Sequence, residues 1–238
     1  MHVVVNAAQS VDGKLATRRR EQLRISGPED FDRVDRIRAA ADAVLVGVGT
    51  VLADDPQLTI DEEDRRVQRL RNGRPGTPAR VVVDSTGRTP TDARVLDDEA
   101  TTYLLAGETL SEDRREQLDS AGAEVILAGG DRRSDDGASD DDCHIDRGGQ
   151  VDLVAGLDAL SDRGIDRLMI EGGGEVIFSF FEADLVDELS VYVGSLVIGG
   201  RDAPTLVDGE GFTDEFPSLE FVGSEQLDDG IVLSYDVE

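Results

Sequence analysis

Residues 168–175 read Leu-Met-Ile-Glu-Gly-Gly-Gly-Glu, an apolar run that passes through three glycines directly into a helical pattern. Glycines let the backbone approach a phosphate without a Cβ clash, and the free N–H groups at a helix start supply donors and a positive dipole end. The stretch therefore predicts a strand, a glycine loop and a helix that together suit a pyrophosphate. The spacing differs from the Rossmann G-x-G-x-x-G pattern, and a tight turn without a ligand is the alternative interpretation.

Two other expected strands end in residues that suit a similar ligand. Residues 47–50, Gly-Val-Gly-Thr, follow one buried strand, where glycine backbone and a threonine hydroxyl can approach a ligand. Residues 82–85, Val-Val-Asp-Ser, end another strand, and Arg88 follows three residues later. An arginine and a serine hydroxyl at a strand end can hold the 2′-phosphate of an adenosine ribose. Gly-x-Gly is common after strands, so the first pattern is not specific by itself, and a solvated strand end is the alternative for residues 82–85.

Apolar runs alternate with helical patterns along the chain, which predicts an α/β fold. Strands are expected over residues 2–8, 42–47, 80–84, 101–106, 124–127, 166–171 and 188–193, with a closing antiparallel hairpin over 219–222 and 231–237. Helices are expected after Ser26 and over residues 111–120, 151–163 and 175–181. Ser26 and Glu29 have the spacing of a capping box at the start of the first helix. Along that helix, Phe31, Val34, Ile37 and Ala41 recur at helical spacing.

Two segments have the composition of insertions. Residues 61–78 are charged and rich in glycine and proline, which predicts a loop. Residues 129–149 are dense in Asp, Gly and Arg without apolar periodicity, which predicts an acidic surface loop inside one domain spanning residues 1–238. Cys143 and His144 lie in this second segment, and we interpret them as incidental loop residues rather than as a metal or redox site.

Charge is the strongest compositional feature of the 238 residues. With 24 Lys and Arg against 52 Asp and Glu, the formal net charge is −28. Such a surface repels nucleic acid and anionic lipid, so neither is expected as a partner. Regular apolar runs argue against disorder, and Lys14 is the sole lysine; together these features are typical of a halophilic protein.

Cysteine, histidine and hydropathy exclude several classes of protein. A single cysteine permits no internal disulfide and no cysteine-based zinc cluster, and only two histidines are present, so no metal site is expected. Neither a signal peptide nor a membrane span is indicated by the sequence pattern. The cytoplasm is therefore the expected compartment.

Taken in order, the motifs resemble the riboflavin-biosynthesis reductases. The resemblance rests on residues 6–8 and 10–14, Ile25-Ser26, residues 47–56 (Gly-Val-Gly-Thr-Val-Leu-Ala-Asp-Asp-Pro) with Leu58-Thr59, residues 82–85 and residues 171–174. It extends from Val3 to about Ile198. The chain is similar both to stand-alone archaeal and fungal enzymes and to the C-terminal half of bacterial bifunctional deaminase-reductases. It contains no H-x-E…P-C-x-x-C deaminase signature, so we expect the reductase activity alone.

The resemblance implies a dihydrofolate-reductase-like α/β fold, with a mostly parallel central sheet flanked by helices and a C-terminal antiparallel strand. It also implies NADPH as cofactor, a phosphorylated pyrimidine as substrate and a homodimeric assembly. The cofactor residues that it implies are Thr50, Asp54, Val82, Val83, Asp84, Ser85, Arg88, Gly172, Gly173, Gly174 and Glu175. The substrate residues that it implies are Asn6, Ser26, Arg38, Leu58 and Glu171.

The implied reaction reduces C1′ of a ribosylamino group, so that the sugar opens to a ribitylamino chain. Hydride comes from the nicotinamide, which leaves orientation, proton transfer and phosphate binding to the protein. Our hypothesis is that Glu171 orients the ribose or the pyrimidine, and that Ser26 and Arg38 bind the 5′-phosphate. Asp12 or Lys14 would then transfer protons. Without the resemblance, Arg38 is interpreted as a partner for acids on an exposed helix face.

The chain departs from the family pattern at two positions. Gln9 occupies a position where methionine is common, and Asp61 one where many relatives have a basic residue that can reach substrate. Since an acid cannot bind phosphate, Arg65, Arg66 or Arg38 is expected to replace that residue. The alternatives left open are reduction of the deaminated uracil substrate, a dihydrofolate or pterin reductase with Asp12 as its acid, and a nucleotide-binding regulator without catalysis.

Overall fold

The computed structural model describes residues 1–21, 23–129 and 149–238. Nine strands form one sheet in the order β5-β4-β3-β2-β6-β1-β7-β9-β8. The strands are β1 (His2–Ser10), β2 (Ala43–Gly47), β3 (Ala79–Val83), β4 (Thr102–Ala106), β5 (Ala123–Leu127), β6 (Arg167–Gly172), β7 (Glu188–Gly194), β8 (Leu219–Leu227) and β9 (Gly230–Val237). The helices are α1 (Pro28–Ala40), α2 (Val48–Asp54), α3 (Glu63–Arg71), α4 (Glu112–Ser120), α5 (Leu153–Ser161) and α6 (Gly174–Glu182).

The seven strands from β5 to β7 are parallel, and β9 and β8 continue the sheet in antiparallel orientation. This arrangement confirms the expected α/β fold class with antiparallel strands at its C-terminal end. The predicted strands agree with the observed ones to within one or two residues, except that β8 continues to Leu227. Asp228, in the left-handed region at φ 50°, belongs to the two-residue turn that joins β8 to β9.

Both faces of the parallel part are covered, which explains why its strands are almost continuously apolar. Along β2, Ala43 and Leu45 face one apolar cluster, whereas Val44 and Val46 face the other. Helices α5 and α6 contribute to the first cluster, and α1, α2 and α4 to the second. The carboxyl ends of the parallel strands therefore open at one edge of this three-layer arrangement, where ligands of open α/β sheets bind.

The capping box predicted for α1 is wrong. Gly27 is the N-cap, and no side chain of its own segment caps the helix. Instead the Asp228 carboxylate accepts hydrogen bonds from the backbone N–H groups of Glu29 (3.1 Å) and Asp30 (3.2 Å), and the Glu29 carboxylate accepts one from Asp228 N (2.6 Å). The cap comes from the β8–β9 turn, far away in sequence. Phe31, expected in the core, is 51% exposed.

The loop predicted over residues 61–78 is also wrong, because α3 lies within it. This helix has little apolar surface, and the buried side chain of Arg69 attaches it to the rest of the protein. Arg69 donates hydrogen bonds to the carbonyl oxygens of Ala39 (2.8 Å) and Ala41 (2.7 Å) at the end of α1, and to that of Pro75 (2.9 Å). Hydrogen bonds from Arg69 to main-chain carbonyl oxygens hold this segment in place, and a pattern of apolar residues cannot reveal such contacts.

Several sequence predictions fall partly outside the described part of the chain. Residues 130–148, which include Cys143 and His144 and most of the predicted acidic loop, lie outside it. Within the described residues, no helix has both the length and the apolar character needed to cross a bilayer.

Candidate active site at the carboxyl ends of the parallel strands

A cleft of about 1530 Å³ opens where β1, β2, β3 and β6 end. Eleven of the residues proposed from the sequence line it: Ser26, Thr50, Asp54, Val83, Ser85, Arg88, Glu171, Gly172, Gly173, Gly174 and Glu175. All of them except Ser26 come from three strand–loop connections, after β2, β3 and β6, that the sheet order places side by side.

The glycine loop between β6 and α6 has a shape that only glycine permits at its centre. Gly173 has φ +94°, a conformation that L side chains rarely adopt. A Cβ added to Gly174 would lie 2.6 Å from the carbonyl oxygen of Thr205, and one added to Gly47 would lie 2.7 Å from a methyl group of Val176. No side chain caps the N-terminus of α6. The loop therefore presents bare backbone and a helix start to the cleft, as an anionic pyrophosphate requires.

The second connection, after β2, forms helix α2 rather than an open loop. Thr50 Oγ1 lies 3.4 Å from the Cβ position that a side chain at Gly172 would occupy, so the two connections face each other closely. Burial raises the pKa of Asp54 above its usual value. Helix α2 ends at Asp54, and its C-cap residue Asp55 has a left-handed conformation (φ 42°).

The third connection, after β3, divides the predicted cofactor residues into two groups. Val83, Ser85 and Arg88 line the cleft, and Arg88 is exposed. Val82 and Asp84 are fully buried and do not line it, which corrects their proposed contact with the cofactor. Asp84 Oδ2 instead accepts hydrogen bonds from both the backbone N–H and the hydroxyl of Thr89, each at 2.7 Å, and thereby closes the turn that carries Arg88.

Arg38 is not among the residues that line the cleft, and its proposed role as a phosphate ligand stays a prediction. Its guanidinium donates to both carboxylate oxygens of Glu171, at 2.5 Å from Nε and 2.6 Å from Nη2. A third hydrogen bond, 2.9 Å, joins Nη1 to the carbonyl oxygen of Thr59. Although burial lowers the pKa of Arg38, its interactions with Glu171 raise it above the usual value of a guanidinium. Glu171, at the end of β6, is thus held in one orientation at the wall of the cleft.

Two further substrate residues proposed from the sequence are placed elsewhere. Asn6 is buried under α1, where its side-chain oxygen accepts a hydrogen bond from Arg33 Nη2 at 2.8 Å. Leu58 packs in the apolar cluster formed with α1, α2 and α4. Neither side chain lines the cleft, whereas Ala7 and Ala8, the two residues after Asn6, do.

The opening turn places both proton-transfer candidates beside the cleft rather than in it. The Asp12 carboxylate accepts hydrogen bonds from the Ser10 hydroxyl (2.6 Å), Ile198 N (3.0 Å) and Gly199 N (2.7 Å). The hydroxyl of Ser10 and the N–H of Ile198 lower the pKa of Asp12 to about 2, so it is ionised at neutral pH and poorly suited as an acid. Asp12 is therefore better described as a residue that fixes the turn.

Lys14 lies at the rim of the cleft. Its Nζ donates a hydrogen bond to the carbonyl oxygen of Ala203 at 3.2 Å, and its backbone forms an isolated bridge with Thr205. Leu15, the next residue, and Pro204, which follows Ala203, both line the cleft.

Residues that the sequence reasoning missed form one whole side of the cleft. They are Leu15, Ala16, Arg20, Leu23, Arg24, Ile25 and Phe31, together with Pro204, Asp208 and the start of α5. A signal was present for the first group: residues 18–20 are three consecutive arginines, and Arg24 follows closely, in a chain with an excess of acids. Within the described residues, no group of three or more His, Cys, Asp or Glu side chains is arranged to hold a metal ion.

Neither of the two family departures lines the cleft. Asp61 is exposed, and its backbone N–H donates to the Asp35 carboxylate at 2.6 Å. Arg65 pairs with Asp32 (2.5 Å) and Asp35 (2.7 Å), and Arg66 lies 3.9 Å from Glu63. None of these side chains lines the cleft, and neither does Gln9. The expected replacement of the missing cation by Arg65 or Arg66 is therefore not what the geometry supports.

The fold and the glycine-lined cleft define an α/β protein of the dihydrofolate-reductase-like class. Comparison with known proteins agrees. A pyrimidine reductase-like protein from Corynebacterium diphtheriae has the same fold with a TM-score of 0.80 over 100% of this chain and 92% of that one, at 19% identity. The family described as the RibD C-terminal domain matches residues 1–233, and the chain belongs to that family.

Two archaeal relatives are similar over most of their length. One, from Archaeoglobus fulgidus, is 44% identical over 89% of this chain and 88% of its own length. The other, from Methanothermobacter thermautotrophicus, is 40% identical over 100% of this chain and 98% of its own. Both are named 2,5-diamino-6-ribosylamino-4(3H)-pyrimidinone 5′-phosphate reductase.

Proposed function

We propose that this chain, as a single reductase domain, reduces 2,5-diamino-6-ribosylamino-4(3H)-pyrimidinone 5′-phosphate to its ribitylamino product with NADPH. The observation that carries the proposal is the adjacency of Glu171 to Gly172–Gly174 at the end of one strand. A fixed carboxylate that can accept hydroxyl hydrogen bonds lies directly beside a backbone loop suited to a cofactor pyrophosphate. The names of the two archaeal relatives support the same reaction.

The cleft fits a nicotinamide cofactor because glycine backbone lines it. A side chain at Gly47 or Gly174 would collide with neighbouring atoms, and Gly173 has a positive φ that larger residues rarely adopt. The backbone of Gly172, Gly173, Gly174 and Glu175 would hold the phosphates. Thr50 and Asp54 would contact the cofactor, and Val83, Ser85 and Arg88 would hold its adenosine side. When bound, NADPH supplies the hydride. The exposed guanidinium of Arg88 next to the Ser85 hydroxyl favours a 2′-phosphate, and hence NADPH over NADH.

The protein's own residues then orient the substrate and manage one proton. The reaction adds a hydride to C1′ of the ring-opened imine and a proton to its nitrogen, so that the C1′–N double bond becomes a single bond. Glu171 accepts hydrogen bonds from the sugar hydroxyls or the pyrimidine amines, its orientation fixed by Arg38. We assign the proton to Lys14, which contacts Ala203 and directly precedes Leu15 in the cleft wall. The apolar wall of Leu15, Ala16, Leu23 and Ile25 restricts water near the reacting carbon.

The test is turnover of purified protein in molar salt with NADPH and the diaminopyrimidinone substrate, followed by NADPH absorbance and product mass. Loss of absorbance with a gain of two hydrogens establishes the reaction. Turnover of only the deaminated uracil substrate would change the substrate but keep the chemistry. Turnover of a pterin alone would point to a dihydrofolate-type reductase, and cofactor binding without any turnover to a regulator.

The finer properties of the protein belong to the same proposal. We propose a homodimer in which the edge strand β8, with Leu219, Phe221 and Val222 exposed, meets its counterpart. Light scattering in molar salt would test it. The net charge of −28 supports a salt-loving, cytoplasmic protein without nucleic-acid or membrane partners. Full folding in dilute buffer would contradict the salt requirement, since self-repulsion is then unscreened.

A further inference from the structure

The segment that follows β7 contacts two sides of the cleft. We call residues 195–209 the return segment. Near its start, the backbone N–H of Gly199 donates a hydrogen bond to the Asp12 carboxylate at 2.7 Å. Near its end, the backbone N–H of Asp208 donates to the carbonyl oxygen of Gly174 at 3.2 Å. The return segment thus joins the opening turn after β1 to the glycine loop after β6.

The opening turn is held by further contacts at the residue to which we assign the proton. The backbone N–H of Leu15 donates to the carbonyl oxygen of Pro204 at 2.9 Å. Lys14 forms an isolated β-bridge with Thr205, and its Nζ donates to the carbonyl oxygen of Ala203 at 3.2 Å. Three consecutive residues of the return segment therefore determine where Lys14 lies.

The return segment also packs tightly against the glycine loop. A Cβ at Gly174 would lie 2.6 Å from the carbonyl oxygen of Thr205 and 2.8 Å from Oδ2 of Asp208. A Cβ at Gly209 would lie 2.5 Å from the ring of Phe178, on the helix that follows the loop. Since no side chain fits between them, the position of the return segment determines that of the glycine loop.

One carboxylate holds the turn that makes contacts on both sides. Oδ1 of Asp208 accepts hydrogen bonds from the backbone N–H of Thr205 at 3.1 Å and from its hydroxyl at 2.5 Å. A side chain that bonds to the main chain within its own turn stabilises one backbone conformation. Asp208 also lines the cleft, so this turn forms part of the cleft wall.

We propose that Asp208 is a positioning residue of the reduction, which keeps the glycine loop and Lys14 at a fixed separation through the turn from Thr205 to Asp208. The assignment rests on the proposed function, because that function places the cofactor at the glycine loop and the proton at Lys14. Asp208 exchanges neither hydride nor proton with the substrate. It acts through the turn, because hydride and proton transfer to one imine require cofactor and proton donor in contact with the substrate at the same time.

The test compares Asp208→Ala and Asp202→Ala with the wild type at one fixed molar salt concentration. Asp202 is the matched control, because it is an exposed acid of the same segment that does not line the cleft. For Asp208→Ala we expect the dissociation constant of NADPH to rise about 5-fold and kcat to fall about 10-fold, since Thr205 loses both hydrogen bonds. The KM for the pyrimidine should stay within about 2-fold of the wild-type value, because Glu171 keeps its partner Arg38.

Two milder variants test the hydrogen bonds themselves. Asp208→Asn keeps one oxygen where both bonds end on Oδ1, so it should restore kcat and NADPH affinity to within about 3-fold of the wild type. Thr205→Val removes only the hydroxyl and should reproduce part of the loss. An Asp208→Asn enzyme as impaired as Asp208→Ala would overturn the proposal.

Single-turnover kinetics separate positioning from a loss of folded protein. With NADPH saturating, the rate constant of hydride transfer should fall about 10-fold in Asp208→Ala, while the amplitude stays that of the wild type. A wild-type rate constant with a smaller amplitude would mean that the substitution only reduces the folded fraction, and would overturn the assignment.

Hydrogen exchange without ligands distinguishes this proposal from the proposed function. In Asp208→Ala, peptides that cover residues 10–16 and 172–178 should both exchange about 5-fold faster than in the wild type, whereas Asp202→Ala should leave both unchanged. Faster exchange confined to the return segment would overturn the coupling of the two sides. Coupled exchange in a protein that reduces no pyrimidine would uphold the positioning role of the turn while the proposed reaction failed.

Discussion

The arginines packed around α1 and those along the cleft differ in what surrounds them. Around α1, Arg33, Arg38 and Arg65 each hold a carboxylate at 2.8 Å or closer. Along the cleft, Arg20 and Arg88 form no salt bridge within the described residues, although the chain has 52 acids to 24 cations. In so acidic a protein, a cation without a carboxylate partner is conspicuous. The difference separates arginines that stabilise the fold from arginines that are available to an anionic ligand.

A further structural arginine, Arg80, shows that a guanidinium can be fully buried when a carboxylate pairs with it. Its side chain is fully buried on β3 and pairs with Asp97 at 2.8 Å, and Nη1 also donates to the carbonyl oxygen of Val95 at 3.0 Å. Burial opposes the charge on Asp97, but the hydrogen bond from Arg80 lowers the pKa of Asp97 below its usual value. Such a pair is specific to the folded state and offers nothing to a ligand.

The largest expected effect comes from breaking the Arg38–Glu171 pair. Arg38→Ala leaves a carboxylate whose side chain is only 11% exposed without its partner, so we expect a loss of about 3–5 kcal/mol in the free energy of unfolding. Turnover should fall with it, because Glu171 loses its fixed orientation. Urea unfolding in constant molar salt and steady-state kinetics measure the two effects.

Arg36→Ala is the control for that experiment, since Arg36 is on the same helix but 57% exposed, 3.6 Å from Asp32. It should cost at most about 0.5 kcal/mol. The double variant Arg38→Ala/Glu171→Ala should be more stable than Arg38→Ala alone. If Arg38→Ala is as mild as Arg36→Ala and instead raises only the substrate KM, Arg38 is a phosphate ligand after all.

A smaller effect is expected from Arg88→Ala, which removes the cation next to Ser85. The KM for NADPH should rise about 10-fold while the KM for NADH stays the same, because only NADPH carries a 2′-phosphate. The free energy of unfolding should stay within about 0.5 kcal/mol of the wild-type value, since Arg88 is exposed. A parallel rise with both cofactors would place Arg88 at a phosphate common to the two.

Arg20→Ala should give the complementary pattern with a lower magnitude. A cation over the connection after β2 is close to the pyrophosphate that both cofactors share, so the KM values for NADPH and NADH should rise together, by about 5-fold. Kinetics with each cofactor at saturating substrate measure this. A change confined to the pyrimidine substrate would instead move Arg20 to the substrate side.

The smallest expected effect concerns Asp12, an acid held by hydroxyl and N–H donors rather than by a cation. Because its folded pKa of about 2 is below the usual value of 3.8 for an aspartate, its contribution to stability is present above pH 4 and is lost as the pH falls towards 2. Asp12→Asn should therefore melt below the wild type at pH 7, and the gap should close between pH 4 and 2. Melting curves across that range in constant salt decide it, and a gap independent of pH would contradict the assignment.

The parallel sheet and the meeting of three strand ends were predictable because both depend on local patterns. Apolar runs located the strands, and glycines after β2 and β6 located two walls of the cleft. Helix α3 was not predictable in the same way, since Arg69 bonds to main-chain carbonyls that no side-chain pattern reveals. The cap of α1 by Asp228 joins positions 199 residues apart and depends on the tertiary fold alone.

The site was predicted less completely than the fold, for a physical reason. A motif identifies a neighbourhood, whereas side-chain direction depends on the alternation of the strand and on the partners available. Thus Asn6 and Val82 belong to matching motifs and yet face the core, while Ala7 and Val83 beside them line the cleft. For Arg38 the sequence offered either a phosphate ligand or a partner for acids, and its acidic partner, Glu171, is far away in sequence and is identified only by the fold.

The most direct measurement is a structure of the protein with NADPH and the phosphorylated substrate bound in molar salt. It should show the 2′-phosphate at Arg88 and the pyrophosphate near Arg20 and Gly172–Gly174. Arg38 should still be paired with Glu171. A phosphate bound by Arg38 or Arg65, with their carboxylate partners displaced, would contradict the separation of structural from ligand-binding arginines.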